Sequence, residues 1–139
     1  MLTYFNKSTL DWIIIGQGER SISYMAANPS WTKADYKAGL LDLINFDKAS
    51  YPGVKILIIQ TVQSRSTVGD IAQNTTEWAA ITQAQQELAA SESNVFIIQD
   101  TSTFTITNGN IESSDGVHYT KAGNVIVGES AATKIYQNL

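Results

Sequence analysis

One histidine lies three residues after an aspartate in the stretch SSDGVHYTKAG, residues 113–123. His118 is the only histidine of the chain, and Asp115 precedes it on a polar turn. A histidine that acts as a general base needs one free ring nitrogen, while an acceptor on the other fixes the tautomer and stabilises the imidazolium. Asp115 has the chemistry and the spacing for that acceptor. D-x-x-H alone is a weak pattern, however, and it favours an ordinary surface turn with a bystander histidine.

A second stretch, IIIGQGERS (residues 13–21), ends an apolar run with Gly16, Gln17, Gly18 and Glu19. Two glycines at the end of a strand allow a ligand to approach the backbone closely. The amide of Gln17 can donate a hydrogen bond to a developing oxyanion, and Glu19 can brace the loop. An ordinary exit from a strand into a loop explains the same four residues equally well.

The bulk composition excludes several classes of function. A chain of 139 residues is predicted to form one domain, residues 1–139. The net charge of −4 and the lack of a basic cluster argue against a nucleic-acid partner. With no cysteine and a single histidine, the chain can form neither a thiolate nor a multi-histidine metal site, and we expect no metal and no cofactor. The sequence has no apolar run long enough to span a membrane, and its first residues, MLTYFNKSTLDW, do not resemble a signal peptide. We therefore expect a soluble protein, whose compartment the sequence does not indicate.

Apolar runs alternate with segments of helical period along the chain. Short β-branched runs predict buried strands at 11–16, 54–61 and 94–99. Helical spacing predicts helices at 32–49, 75–91 and 120–137, and TFTITNGN predicts a small β-excursion at 103–110. The predicted buried face of the last helix consists of Val125, Gly128, Ala132 and Ile135.

Continuous apolar strands linked by helices predict an α/β fold, a three-layer α/β/α sandwich with a parallel sheet. Ligands of such sheets bind beyond the carboxyl ends of the strands. Those ends lead into GQGERS, TVQSRS and QDTSTF, and the DGVH turn can reach the same rim. The run WIII is apolar at every position, so we expect a central strand with a neighbour on both sides.

Together and in this order, IIIGQGERS and SDGVHYTKAGNVIVGESA resemble the SGNH/GDSL hydrolases, especially the sialate-O-acetylesterase-like carbohydrate esterases. The segment ITQAQQELA (81–89) is similar to the R-x-A-Q helix of those esterases. The resemblance implies that His118 is the catalytic base, that Asp115 is the triad acid and that Gln17 contributes to the oxyanion hole. It also implies a flavodoxin-like sheet that lacks the first strand or two.

The family's first block, a strand followed by G-D-S or G-Q-S, has no match, and neither has the glycine of its second block. Ser8 and Ser21 lack the glycine elbow of a nucleophile. Ser64 and Ser66 lie in a loop near the predicted rim, where polar serines are common. Arg65 is expected to be solvated rather than a substrate contact. The resemblance therefore implies a serine from outside this chain, on an N-terminal segment or a partner chain.

The resemblance implies a Ser-His-Asp O-acetylesterase that acts on acetylated carbohydrate or another small ester and needs no metal. Trp31, in NPSWT, is a weak candidate for stacking on a sugar. The alternative is a non-catalytic carbohydrate-binding or assembly domain of a surface or phage fibre protein. An open edge of the first strand would also allow a homo-oligomer.

Overall fold

The computed structural model describes residues 10–139, which form a mixed α/β fold. Its parallel sheet has three strands, β1 (Trp12–Gly16), β2 (Lys55–Ile59) and β3 (Val95–Ile98), in the order β1-β2-β3. The helices are α1 (Glu19–Ala27), α2 (Lys33–Ser50), α3 (Thr75–Ser91) and α4 (Lys121–Tyr136), with a short 3₁₀ helix at Asp100–Thr103. The predicted α/β class and parallel sheet are confirmed.

Helices cover the two faces of the sheet unequally. Ile56 and Ile58 point into a core formed with α1, α2 and α3, whereas Leu57 points into a second core formed with α4 and the segment before it. All three side chains are fully buried, because β2 is the central strand. A strand buried on both faces has no polar alternation, which explains its continuous apolar sequence.

The structure places β1 at an edge of the sheet, so the second neighbour expected from WIII is not among the strands of residues 10–139. Within residues 10–139, β1 pairs only with β2, with Ile14 opposite Leu57. Ile14 is 51% exposed, although Ile15, on the opposite face, is buried. The apolar run therefore leaves one backbone edge and part of one face of β1 uncovered by the described residues.

Of the predicted face of the last helix, only Ile135 packs against the core, whereas Val125, Gly128 and Ala132 are exposed. Gly123, Val127 and Ala131 face the sheet, whereas Val125 is 49% exposed. The physical reason is a close backbone contact: a Cβ on Gly123 would lie 2.3 Å from the carbonyl oxygen of Asn110. Only glycine allows this approach, so the contact fixes the rotation of α4, and residues at spacings of four follow it inward.

The segment at 103–110 forms no strand. It contains the end of the 3₁₀ helix and a turn, and the nearby β-structure is one antiparallel bridge between Ile111 and Tyr119. Within the described part of the chain, no helix combines the length and the apolar character needed to cross a membrane.

Candidate functional site

His118 and Asp115 form a direct hydrogen bond on the turn before α4. The Nδ1 atom of His118 lies 2.6 Å from Oδ2 of Asp115. The other oxygen, Oδ1, accepts the backbone N–H groups of Val117 (2.8 Å) and His118 (3.0 Å). The turn therefore fixes the carboxylate, and the carboxylate in turn orients the ring.

The turn is anchored to the loop after β2. The N–H of Arg65 donates to the carbonyl of Gly116 at 2.8 Å. Gly116 has φ +71°, and a Cβ there would lie 2.0 Å from the Arg65 carbonyl oxygen, so only glycine fits. The N–H of Glu112 closes the turn by donating to the carbonyl of His118 at 2.8 Å. These backbone contacts place His118 at the carboxyl-end rim of the sheet, because Arg65 follows β2.

The charges of the pair favour a ring that donates through Nδ1. The hydrogen bond from the His118 side chain, followed by the two backbone N–H groups, lowers the pKa of Asp115 to about 2. The pKa of His118 is raised, first by Asp115 and then by the charges of Glu19 and Glu112. The ring is 80% exposed, and within the described residues Nε2 has no hydrogen-bond partner. Nε2 is thus free to accept a proton at the surface.

We predict that His118 titrates above its ordinary pKa of 6.5 and that Asp115→Asn moves the pKa back towards this value. Asparagine keeps an oxygen for the turn N–H groups but removes the charge that favours imidazolium. A proton NMR titration measures this directly, because the chain has one histidine. Since folding raises the pKa of His118, its imidazolium stabilises the fold below the unfolded pKa of about 6.5 and ceases to do so as pH rises through the folded value. The lowered pKa of Asp115 ends this stabilisation again as pH falls towards about 2. An unchanged pKa in the variant would contradict the pairing.

The loop between β1 and α1 is built around the carbonyl of Gln17. That oxygen accepts from the Thr61 hydroxyl at 3.0 Å, the Gln85 amide at 2.9 Å and the Tyr36 hydroxyl at 3.3 Å. Gln85 is fully buried, and its oxygen accepts the Thr61 N–H at 3.0 Å. Burial raises the pKa of Tyr36 to about 12, so its hydroxyl remains a donor. Three elements thus fix one peptide group of the loop.

The two glycines of this loop have different structural roles. Gly18 has φ +145° and a Cβ there would lie 2.1 Å from the Thr61 hydroxyl oxygen, so the backbone and the packing both require glycine. Gly16 has an ordinary conformation, and a Cβ would only touch the Ile59 side chain at 3.6 Å. The exposed side chain of Gln17 donates to the hydroxyl of Ser21 at 3.0 Å, one turn into α1.

Glu19 connects the two motifs electrostatically. The sequence patterns did not predict α1, which begins at this residue. Burial is the main cause of the raised pKa of Tyr119 and Asp115 that of His118, and the charge of Glu19 raises both further. The loop follows the carboxyl end of β1, and the turn is hydrogen-bonded to Arg65 in the loop after β2, so both belong to the carboxyl-end side of the sheet.

Of the serines that the sequence singled out, the three in residues 10–139 form no hydrogen bond with His118. Ser21 accepts from Gln17, and Ser66 accepts the N–H of Val68 at 3.2 Å. The Ser64 hydroxyl is buried without a hydrogen-bond partner, and Ser8 lies outside the described residues. No serine in residues 10–139 is bonded to Nε2 of His118.

Arg65 is part of a structural ion pair, not a solvated side chain as the sequence predicted. Its Nε lies 2.8 Å from Oδ1 of Asp70, and its Nη2 donates to the Asp70 carbonyl at 2.7 Å. Asp70 also accepts the N–H groups of Thr107 (2.8 Å) and Ile106 (3.1 Å), and contacts with Thr107 are the main reason for its lowered pKa. The pair ties the loop after β2 to the segment that precedes the DGVH turn.

Neither a protein-family model nor a curated protein matches the chain. Across residues 10–139, no three His, Cys, Asp or Glu side chains come together as a metal site.

Proposed function

We propose that this chain provides the His-Asp pair and part of the oxyanion hole of an SGNH-type carbohydrate O-acetylesterase. The observation that carries the proposal is the exposed His118 ring, held through Nδ1 by Asp115 with Nε2 free. This is the arrangement that a general base of acyl transfer requires. The start of α1 lies near it, and the resemblance assigns the Gln17 amide of that loop to the oxyanion hole.

In the proposed reaction, His118 Nε2 takes the proton of a serine whose oxygen attacks the acetyl carbonyl. Asp115 stabilises the imidazolium, and Gln17 with backbone N–H groups stabilises the oxyanion. The bond to the sugar oxygen then breaks, and His118 returns the proton to that oxygen. Water, activated by His118, hydrolyses the acyl-enzyme to acetate. The amide of Gln17 must leave Ser21 to reach the oxyanion, which needs only a side-chain rotation.

The open edge of β1 supports a serine on an added strand. The N–H of Lys55 donates to the carbonyl of Asp11 at 3.0 Å. By the alternation of a parallel ladder, Ile13 and Ile15 bond β2, while Trp12, Ile14 and Gly16 direct their backbone groups to the open edge. A parallel strand added here would end beside Gly16, at the rim that holds His118. We therefore propose that an N-terminal segment or a partner chain supplies this strand and the nucleophile.

The test is whether a segment with a strand and a G-D-S or G-Q-S sequence confers hydrolysis of an aryl acetate on the chain. The alternative function, a non-catalytic carbohydrate-binding or assembly domain, is favoured by the lack of a serine at His118 within the described residues. The two differ in outcome: the esterase gains activity that depends on His118, whereas the binding domain gains none.

We predict that the chain alone hydrolyses an aryl acetate only slowly, at a rate no higher than that of an exposed imidazole. The Ser64→Ala and Ser66→Ala variants should give the same rate, because neither hydroxyl contacts His118 and that of Ser66 is used in its own turn. Initial rates of 4-nitrophenyl acetate hydrolysis measure this. Turnover that one of the serine substitutions abolishes would show that the nucleophile lies within this chain.

A further inference from the structure

A groove runs from Gln17 along the outer side of α1 and α2. Its deeper part is a hollow of about 330 Å³ lined by Gln17, Ser21, Trp31, Tyr36 and Gly39, among others. The same Gln17, Ser21 and Trp31 also border a shallower hollow of about 440 Å³. Both volumes are in the range of small-molecule sites, and the two hollows meet at Trp31.

The walls of this groove combine aromatic rings with hydrogen-bonding groups. Trp31 is half-buried and packs edge-to-face with Tyr24 at 5.3 Å and with Tyr36 at 6.2 Å, so its position is fixed. Arg20 and Gln17 line the same hollow as Trp31. A fixed ring with donors and acceptors around it matches a pyranose, which has an apolar C–H face and a rim of hydroxyl groups.

Gly39 opens the deeper hollow. It lies in the middle of α2, where glycine is among the least favourable residues for a helix. No atom lies within 4 Å of the place where its Cβ would be, and its φ is not positive, so neither packing nor the backbone requires glycine there. Gly128, in α4, has the same free space but does not line the groove.

We infer that the groove between Gln17, Trp31 and Gly39 binds a sugar ring. In the proposed esterase this ring would belong to the carbohydrate whose acetyl group reaches Gln17, so its place in catalysis rests on the proposed function. Sugar binding itself does not, since it needs neither His118 nor a serine.

The test is saturation-transfer-difference NMR of the chain with xylotriose, cellotriose and chitotriose. At least one of these sugars should receive saturation at its ring C–H protons, and we expect a Kd of about 1 mM. The Gly39→Leu variant, which fills the hollow, should weaken binding about tenfold or more. Gly128→Leu is the matched control and should bind like the parent chain. Trp31→Ala should also lose binding, provided that its melting curve shows a folded protein.

Two results would overturn the inference: no saturation of any of the three sugars, or equal binding by Gly39→Leu and Gly128→Leu. Failure of the esterase is a separate result. Sugar binding without hydrolysis in the completed protein would leave the groove assigned and support the binding-domain alternative. Hydrolysis without sugar binding would reject the groove and keep the esterase.

Discussion

Replacing Gln85 with leucine is expected to lower the free energy of unfolding by about 1–3 kcal/mol. The substitution leaves the buried N–H of Thr61 without its acceptor and removes one of three donors to the Gln17 carbonyl. An unsatisfied buried polar group costs about 1–3 kcal/mol, and leucine recovers part of this by its apolar surface. The loss should be visible as a lower urea midpoint with an unchanged slope.

Gln83→Leu is the matched control, because Gln83 is an exposed residue of the same helix, two positions earlier. It should change stability by no more than about 0.5 kcal/mol. Equal effects of the two substitutions would mean that the network around Gln17 contributes nothing specific. An effect confined to Gln85 would instead show that α3 stabilises the loop that starts α1.

The helices and strands of this fold could be predicted from the sequence wherever their buried side produces a periodic apolar pattern. The helix predicted at 75–91 has the same bounds in the structure, because Ile81, Gln85 and Leu88 repeat on its buried side. The three apolar runs became the three strands. The first helix was missed because it is short, with nine residues of which only Ile22 is buried, and it follows the loop glycine Gly18 without a side-chain N-cap.

Contacts between distant backbone segments could not be predicted from such patterns. The rotation of α4 depends on Gly123 meeting the carbonyl of Asn110, and no periodicity reveals that contact. Likewise, three side chains from different parts of the chain converge on the Gln17 carbonyl, and no periodicity indicates that they meet there. The spacing of Asp115 and His118 did predict their hydrogen bond, because both residues lie on one turn. The role of His118 as a base stays a prediction.

Joining a strand that carries the nucleophile to β1 should raise aryl acetate hydrolysis well above the rate of the chain alone. The segment to test is the sequence encoded ahead of Met1, or a G-D-S strand from a sialate-O-acetylesterase-like protein, either fused or mixed with the chain. Within this complex, His118→Ala should lower the rate by about a hundredfold or more, because the variant lacks the base that accepts the serine proton. Serine to alanine in the segment should lower it similarly.

The geometry of the edge gives a sharper control. Ile14 directs its N–H to the open side of β1, so Ile14→Pro removes a hydrogen bond to the added strand without removing one to β2. Ile14→Val keeps the N–H and the β-branched shape. The proline variant should therefore bind the segment more weakly and lose hydrolysis at a given segment concentration, whereas the valine variant should not.

The oligomeric state of the chain without the segment shows whether the open edge of β1 pairs with a second copy or is left for the added strand. If copies pair through β1, sedimentation should show a dimer that Ile14→Pro converts to a monomer. Two copies related by a two-fold axis through this edge would pair antiparallel, which would place the opposite end of the partner strand beside Gly16. Such a dimer would bring the amino end of the partner strand to the rim of His118, not the carboxyl end that would carry the nucleophile. A stable dimer that excludes the segment and stays inactive would therefore contradict the esterase, and a monomer that gains His118-dependent activity would support it.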